Sequence, residues 1–464
     1  MSAFIQITDG LSIPRGNFGF ILERAGHQKL QQRCVELEQT LKLDYDSFAH
    51  KYRLTLEEFA LAEETAKRIA ASGMRYNEQT TRRRITQEIK ADGGSGYSNI
   101  LVELCLSSEN VARIEQLLLK GYLSPAAWNQ RVFKEELETH VRTLFRFGSQ
   151  NSHSGEKSDD LLPSNDVCKD YLRKLHALLA AYYAYEEKFD GGRIPFGDYY
   201  PVPKKLCREY GLELPDKKYY FVREGEGGLE HYIFTNADSD SGDAQRRDIE
   251  TIHRLWMENI DSPQNVLPNA GFVANKNGKD YRYWISPLPS FPQSLTDDYI
   301  QSLSCEDRLQ IVRGIIRGVA SMHRSDPPYY HRAISPSSFI VCRVRNRLKV
   351  MLVNFDCAKD TDEDAAYTVL YAVSSKLAKS EAPELLFAPE LLAMNETEST
   401  GEPDWAAVDI FALGKTILKT LTNSYSVPHD KPENISTDAY GLICDMCSPD
   451  PKQRPDIDTV LLAF

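Results

Sequence analysis

Paired cysteines, basic excess and long apolar runs are all scarce in this 464-residue chain. The nine cysteines are odd in number and scattered. That usage is no disulfide framework and suits a reducing compartment. Cys444 and Cys447 form a lone CxxC, without a second pair at zinc-ligand spacing. Both fall in an apolar helical pattern with Leu442, Ile443 and Met446, which points to a structural part. Acidic residues outnumber basic ones, 67 to 55, for a formal charge of −12. A chain of that sign is repelled by phosphate backbones, which excludes nucleic-acid coating by the whole surface. The run Arg82, Arg83 and Arg84 reads as a solvated helix face. No apolar stretch is long enough to span a bilayer, and Met1–Phe20 lacks a basic start followed by an apolar core. A cytoplasmic location with no membrane partner is expected.

Apolar residues make up 42% of the chain, enough for packed domains, and the length suggests two or three of them. Helical spacing dominates from Phe18 to about Tyr122, with Ile21, Leu22, Leu30, Cys34, Leu37 and Leu41 recurring. A second helical block runs from about Asn99 to Phe147, and Val167–Phe189 reads as a strong helix with an apolar stripe. Between them, Ser149–Asn165 is polar and reads as a loop. Glycine and proline crowd 191–203, which marks a domain boundary. Beyond it, Tyr219–Val222, His231–Thr235 and Tyr281–Ile285 read as strands, Asp248–Met257 as a helix, and helices prevail from Asp307. The expected class is α+β: an N-terminal all-helical part followed by a bilobal fold. Its divisions are a helical region at 1–94, a second helical domain at 95–190, a linker at 191–203, and a C-terminal domain at 204–464. The last splits into a small strand-rich lobe, 204–288, and a large helical lobe, 289–464.

Five motifs stand in order over about 130 residues of that last domain. They are Tyr330–Val341 (YHRAISPSSFIV), Lys349–Lys359 (KVMLVNFDCAK), Phe387–Glu390 (FAPE), Asp409–Gly414 (DIFALG) and Asp450–Pro455 (DPKQRP). The set resembles the protein-kinase fold, with its H-R-D catalytic loop, D-F-G segment, A-P-E motif, central helix and terminal arginine segment. Ala382–Glu384 is a competing copy of A-P-E; Phe387 gives the later copy the aromatic lead-in. The resemblance implies structural roles. Asp409 would anchor the backbone of the loop at His331 and Arg332, Glu390 would pair with Arg454, and His331 would pack on Phe355.

The same resemblance marks what is missing. Phosphoryl transfer uses a carboxylate near the attacking hydroxyl, an asparagine on one magnesium and an aspartate on the other. Here those positions are Ala333, Ser338 and Asn354, and Asp356 replaces the glycine. No G-x-G-x-x-G precedes the first strand. Alignment puts Phe234 where the nucleotide lysine belongs and Asp248 near the helix glutamate. With so many electrostatic contributions removed, the domain is expected to be a pseudokinase, not an active protein kinase. No cofactor or resident metal is expected; weak nucleotide binding is left open, with Asn354 a residue that could still contact a metal.

In the helical half, Val141–Gly155 (VRTLFRFGSQNSHSG) ends a helix before the polar loop and the helix from Val167. The arrangement resembles HEPN-type helical domains of prokaryotic defence systems, in the branch that accompanies restriction-system subunits. Gly148 and His153 fit that branch's spacing, Ser149 replaces its asparagine, and its arginine is shifted to Arg146 or Arg142. In ribonuclease members an Arg-x4-6-His pair, doubled by dimerisation, cleaves RNA. Arg146 and His153 have that spacing and are the candidate ribonuclease pair. Three readings are open. The first is a regulatory or scaffold pseudokinase with a helical interaction domain and a protein partner, in a bacterial defence or stress system. The second is a pseudokinase-gated ribonuclease acting on RNA as a homodimer. The third is an atypical nucleotide-dependent transferase on a kinase fold.

Overall fold

A computed structural model describes the chain except for residues 1, 23–26, 74–76, 92–95, 119–129, 152–163, 216, 238–242, 258–262, 277–280, 361–382, 397–402 and 433–434. The chain divides into two compact units. One is Met1–Pro201 with Ala274–Asp280, and the other is Val202–Val273 with Tyr281–Phe464. The class is mixed α+β with small antiparallel sheets. Among the described residues no helix is long and apolar enough to cross a membrane.

The first unit is not all helical. It opens with an antiparallel hairpin, β1 (Phe4–Thr8) and β2 (Leu11–Pro14). The cause is visible in the burial. Ile5 and Ile7 alternate with exposed Phe4 and Gln6, while Leu11 and Ile13 face inward from β2. Gly10, at φ +95°, makes the turn. Helices follow: α1 (Gly19–Leu22), α2 (Gln28–Leu41), α3 (Tyr45–Ala71), α4 (Glu78–Ala91), α5 (Gly96–Cys105), α6 (Ser108–Leu118), α7 (Gln130–Asn151) and α8 (Asn165–Tyr182).

Helix α3 is the axis of this unit. Phe48, Tyr52, Thr55, Phe59 and Ala62 fall three or four apart along it and are all buried, so one continuous stripe meets α2, α5, α7 and α8. Gly148 on α7 is where α7 comes closest to α3; a Cβ there would lie 2.8 Å from the Arg53 Cβ and 3.0 Å from its Cα. Helix α8 stops at Tyr182, short of the sequence expectation of Phe189. Ala184 takes φ +58°, and the Tyr185 N–H donates to the Ala180 carbonyl at 2.8 Å. This is a Schellman ending built without glycine, so no breaker residue announces it. Arg82 is not on a fully solvated face: it is half-buried and pairs with the buried Glu58. After α8, Gly191–Arg193 forms a short 3-10 turn, Ile194 joins the helical core, and a two-residue strand β3 (Tyr200–Pro201) comes next.

The second unit begins with α9 (Lys204–Glu209). A sheet then forms from β4 (Lys218–Gly225), β5 (Gly228–Asn236), β6 (Gly271–Ala274) and β7 (Arg282–Leu288), in the order β4-β5-β7-β6. The β4–β5 hairpin closes at Gly225 and Gly228. Helix α10 (Asp243–Met257) falls between β5 and β6. Next come β8 (Pro292–Ser294), α11 (Asp297–Ser302), α12 (Cys305–His323), β9 (Tyr329–Tyr330), the hairpin β10 (Phe339–Val344) and β11 (Arg347–Leu352), and β12 (Lys359–Asp360). Strand β10 pairs with both β11 and β8, and β12 pairs with β9. The chain ends in helices α13 (Pro383–Leu386), α14 (Pro389–Glu396), α15 (Trp405–Thr422), α16 (Thr437–Met446) and α17 (Ile457–Ala463). Helix α15 is buried along nearly its whole length. Such a helix is central because apolar residues occupy most of its faces.

Candidate functional site

The site grows from one buried carboxylate. Asp409 on α15 is fully buried and accepts three N–H donors: the His331 backbone at 2.7 Å, the Arg332 backbone at 2.7 Å and His323 Nε2 at 3.0 Å. Two of these bonds fix the turn after β9, which explains how Arg332 tolerates φ +66°. The Arg332 guanidinium lies 4.2 Å from the centre of the Trp405 ring. His331 Nε2 donates to the Val353 carbonyl at 3.1 Å, and its ring sits 5.7 Å from that of Phe355. Glu390, on α14, is gripped by Arg454 through two bonds of 2.6 and 2.9 Å, so the Phe387–Glu390 copy of the motif is the one that meets the terminal arginine. Ala382–Glu384 lies partly outside the described residues.

The loop after Arg332 is turned on itself. Ala333 is buried in an apolar cluster with Cys357, Leu386, Phe387 and Trp405. The Ser338 hydroxyl donates to the Ala333 carbonyl at 3.2 Å and accepts the Ser335 N–H at 3.2 Å. Asn354 stands at φ +66°, a conformation asparagine tolerates better than most side chains. Its Nδ2 donates to the Ser337 carbonyl at 2.8 Å, while its Oδ1 is buried without a hydrogen-bond partner.

The small-lobe alignment needs correction. Phe234 does not face the cleft: it stacks on Phe221 with ring centres 4.2 Å apart and is fully buried. Side chains alternate along a strand, so its neighbour Thr235 takes the cleft side. Thr235 is paired in register with Lys218 of β4. Lys218 is not among the residues that the sequence reading singles out. Its ammonium is buried, pairs with the Asp248 carboxylate on α10 and donates to Thr235 Oγ1 at 3.1 Å. The other Asp248 oxygen accepts the Phe355 N–H at 2.8 Å. Asp248 therefore links β4, α10 and the segment after β11. The signal that would find Lys218 is the strand register, which one-dimensional spacing does not carry.

These groups line a cavity of about 570 Å³. Lys218, Thr235, Asp248, Ala333, Ser338 and Asn354 all contribute to its walls. Chemically its described lining offers hydroxyls, one amide oxygen, the carboxylates of Glu213 and Asp356, and the Lys218–Asp248 ion pair. No carboxylate stands at the Ala333 position to accept a hydroxyl proton. Among the described residues no group of three His, Cys, Asp or Glu side chains is arranged to hold a metal ion.

In the helical unit, Arg146 is exposed on α7, and Arg142 is held by Glu138 at 2.8 Å and Asn99 at 3.1 Å. His153 lies outside the described residues. Gly148 has a packing reason in its approach to Arg53.

No family model matches the chain, and no curated protein matches it. Among solved structures it is similar to the crystal structure of the Rad53 kinase domain and SCD2 in complex with AMPPNP. The TM-score is 0.36 at 14% identity, over 58% of this chain and 89% of that one. A likeness of that size is too low to weigh, which leaves this chain's own geometry as the ground for its function.

Proposed function

We propose that the Val202–Phe464 unit is a catalytically silent, kinase-like regulatory or scaffold module whose partner is a protein. The observation that carries this is the contrast around Asp409. The loop is braced by two 2.7 Å backbone bonds, yet the position where the resembled family puts its base is Ala333, packed among apolar side chains. Ser338 gives both its hydrogen bonds to the same loop. The framework is kept, and the position of the family's proton acceptor holds an apolar side chain. Lys218 and Asp248 hold the strands, α10 and Phe355 together, which suits a module that presents a fixed surface. No cofactor is needed for that role.

The test is transfer of label from γ-labelled ATP with magnesium, to the chain itself and to a generic acceptor protein. The wild type is expected to transfer nothing above background. Transfer that disappears in Lys218→Met would sink the proposal and turn attention to phosphoryl-transfer chemistry through the relocated lysine.

A further inference from the structure

The segment before β4 holds no glycine-rich loop. It folds as α9 and then as a strap, Tyr210–Pro215. Gly211 stops the helix at φ +79°: its N–H donates to the Arg208 carbonyl at 3.0 Å, and the Leu212 N–H to the Cys207 carbonyl at 2.8 Å. This ending turns the strap toward β8, where it is fastened four times. The Ser294 N–H donates to the Gly211 carbonyl at 2.8 Å. The Glu213 N–H donates to Ser294 Oγ at 2.9 Å, and that hydroxyl donates to the Glu213 carbonyl at 3.1 Å. Gln293 Nε2 donates to the Tyr210 carbonyl at 2.7 Å. Leu212 is fully buried beneath the strap.

Glu213, Leu214 and Pro215 then form one wall of the cavity, together with Ser294. A polyphosphate is held by free N–H donors and cations. This wall has neither at two of its three strap positions. The Glu213 N–H is given to Ser294, and Pro215 has no N–H. The Glu213 side chain is itself a carboxylate. Lys218 is the one cation among the described lining residues, and Asp248 neutralises it.

We propose that Tyr210–Pro215 is a gate clasped on Ser294 that excludes phosphate-bearing ligands from the cleft, so that the clasped cleft accepts only a small ligand without phosphate. The proposal rests on the kinase-like reading of this cleft. It differs from mere loss of catalytic residues, because it assigns the exclusion to Ser294 and Glu213 and makes it reversible.

The experiment measures binding of ATP and of adenosine to the full chain by calorimetry, with amide exchange followed at residues 211–215. Four proteins are compared: wild type, Ser294→Ala, Ser294→Thr and Ser294→Ala/Glu213→Gln. Losing the two hydroxyl bonds should speed exchange in the strap, and the double variant should bind ATP roughly tenfold or more tighter than wild type. Ser294→Thr keeps the hydroxyl and should behave as wild type. ATP bound equally by wild type and double variant overturns the gate but leaves the kinase-like reading standing. Faster strap exchange with no ATP binding by any variant overturns the gate and counts against the kinase-like cleft as well. Unchanged exchange in Ser294→Ala means the clasp is not what holds the strap, and overturns the proposal.

Discussion

Arg454 grips Glu390 through two parallel bonds, Nη1 to Oε1 at 2.6 Å and Nη2 to Oε2 at 2.9 Å. The same guanidinium also donates to the Ala407 and Ser448 carbonyls at 2.9 Å each and lies 4.9 Å from the Phe411 ring centre. It therefore ties α14, α15 and the segment before α17 in one place. Arg454→Ala leaves Glu390 without its partner and removes the bonds to the Ala407 and Ser448 carbonyls, and should cost ~3–5 kcal/mol in urea unfolding. Arg454→Lys should recover little of that, because an ammonium lacks the planar fork. Equal stability of Arg454→Lys and wild type would contradict the paired-bond account.

The Lys218–Asp248 pair calls for a double-mutant cycle. Lys218→Met or Asp248→Asn alone leaves a buried charge unmatched, whereas the double variant leaves none. Each single change should lose several kcal/mol, about 3–5, and the double change less than their sum, with coupling above ~1 kcal/mol. Strict additivity in denaturant titrations would mean the two side chains do not act as a pair.

Acid stability of the helical unit should be set by opposing groups. Burial pushes the Glu38 carboxyl up to about 7, although the Asn17 amides and the Phe18 N–H donate to it. A carboxyl raised in the folded state holds its proton longer there than in the unfolded chain. Stability from Glu38 therefore falls as pH rises from about 4.5 to about 7, by ~3 kcal/mol in all. Burial also holds His140 and His176 down to about 4. The unfolded chain binds those protons first, so their contribution is lost as pH falls from 6.5 toward 4. Two histidines outweigh one carboxyl where the windows overlap, so stability should rise with pH between about 4.5 and 6.5. Glu38→Gln should make that rise steeper. A flatter profile in the variant would show that Glu38 is not protonated in the fold.

The helical unit is expected to leave RNA intact. A labelled RNA pool incubated with the purified chain and with Arg146→Ala/His153→Ala should show the same pattern for both. Cleavage by the wild type that the double variant lacks would replace the scaffold proposal with a ribonuclease.

Legibility in the sequence depends on chemical type. His331, Asp409, Glu390 and Arg454 are legible because their spacing within short motifs is tied to a buried polar bond that few residues can make. Lys218 is not, because its role depends on which residue of β5 lies across from it, and a shift of one residue exchanges Phe234 for Thr235. The β1–β2 hairpin is easily passed over because four alternating aliphatics make a short signal beside long helical stripes. The end of α8 is hidden because Ala184 carries the turn that glycine usually marks. The strap's fastening is invisible for a different reason: residues 81 positions apart meet through the Ser294 hydroxyl and the Glu213 backbone, which no local spacing records.

The serine-rich turn after Ala333 has one more implication. Ser338 bonds to both Ala333 and Ser335, and Asn354 bonds to Ser337, so these links that shape the turn come from the polypeptide itself. A turn organised by a ligand has a filled form and an empty form, and can report which one is present. This turn carries a template within its own chain. It can serve as a landmark for another molecule to recognise.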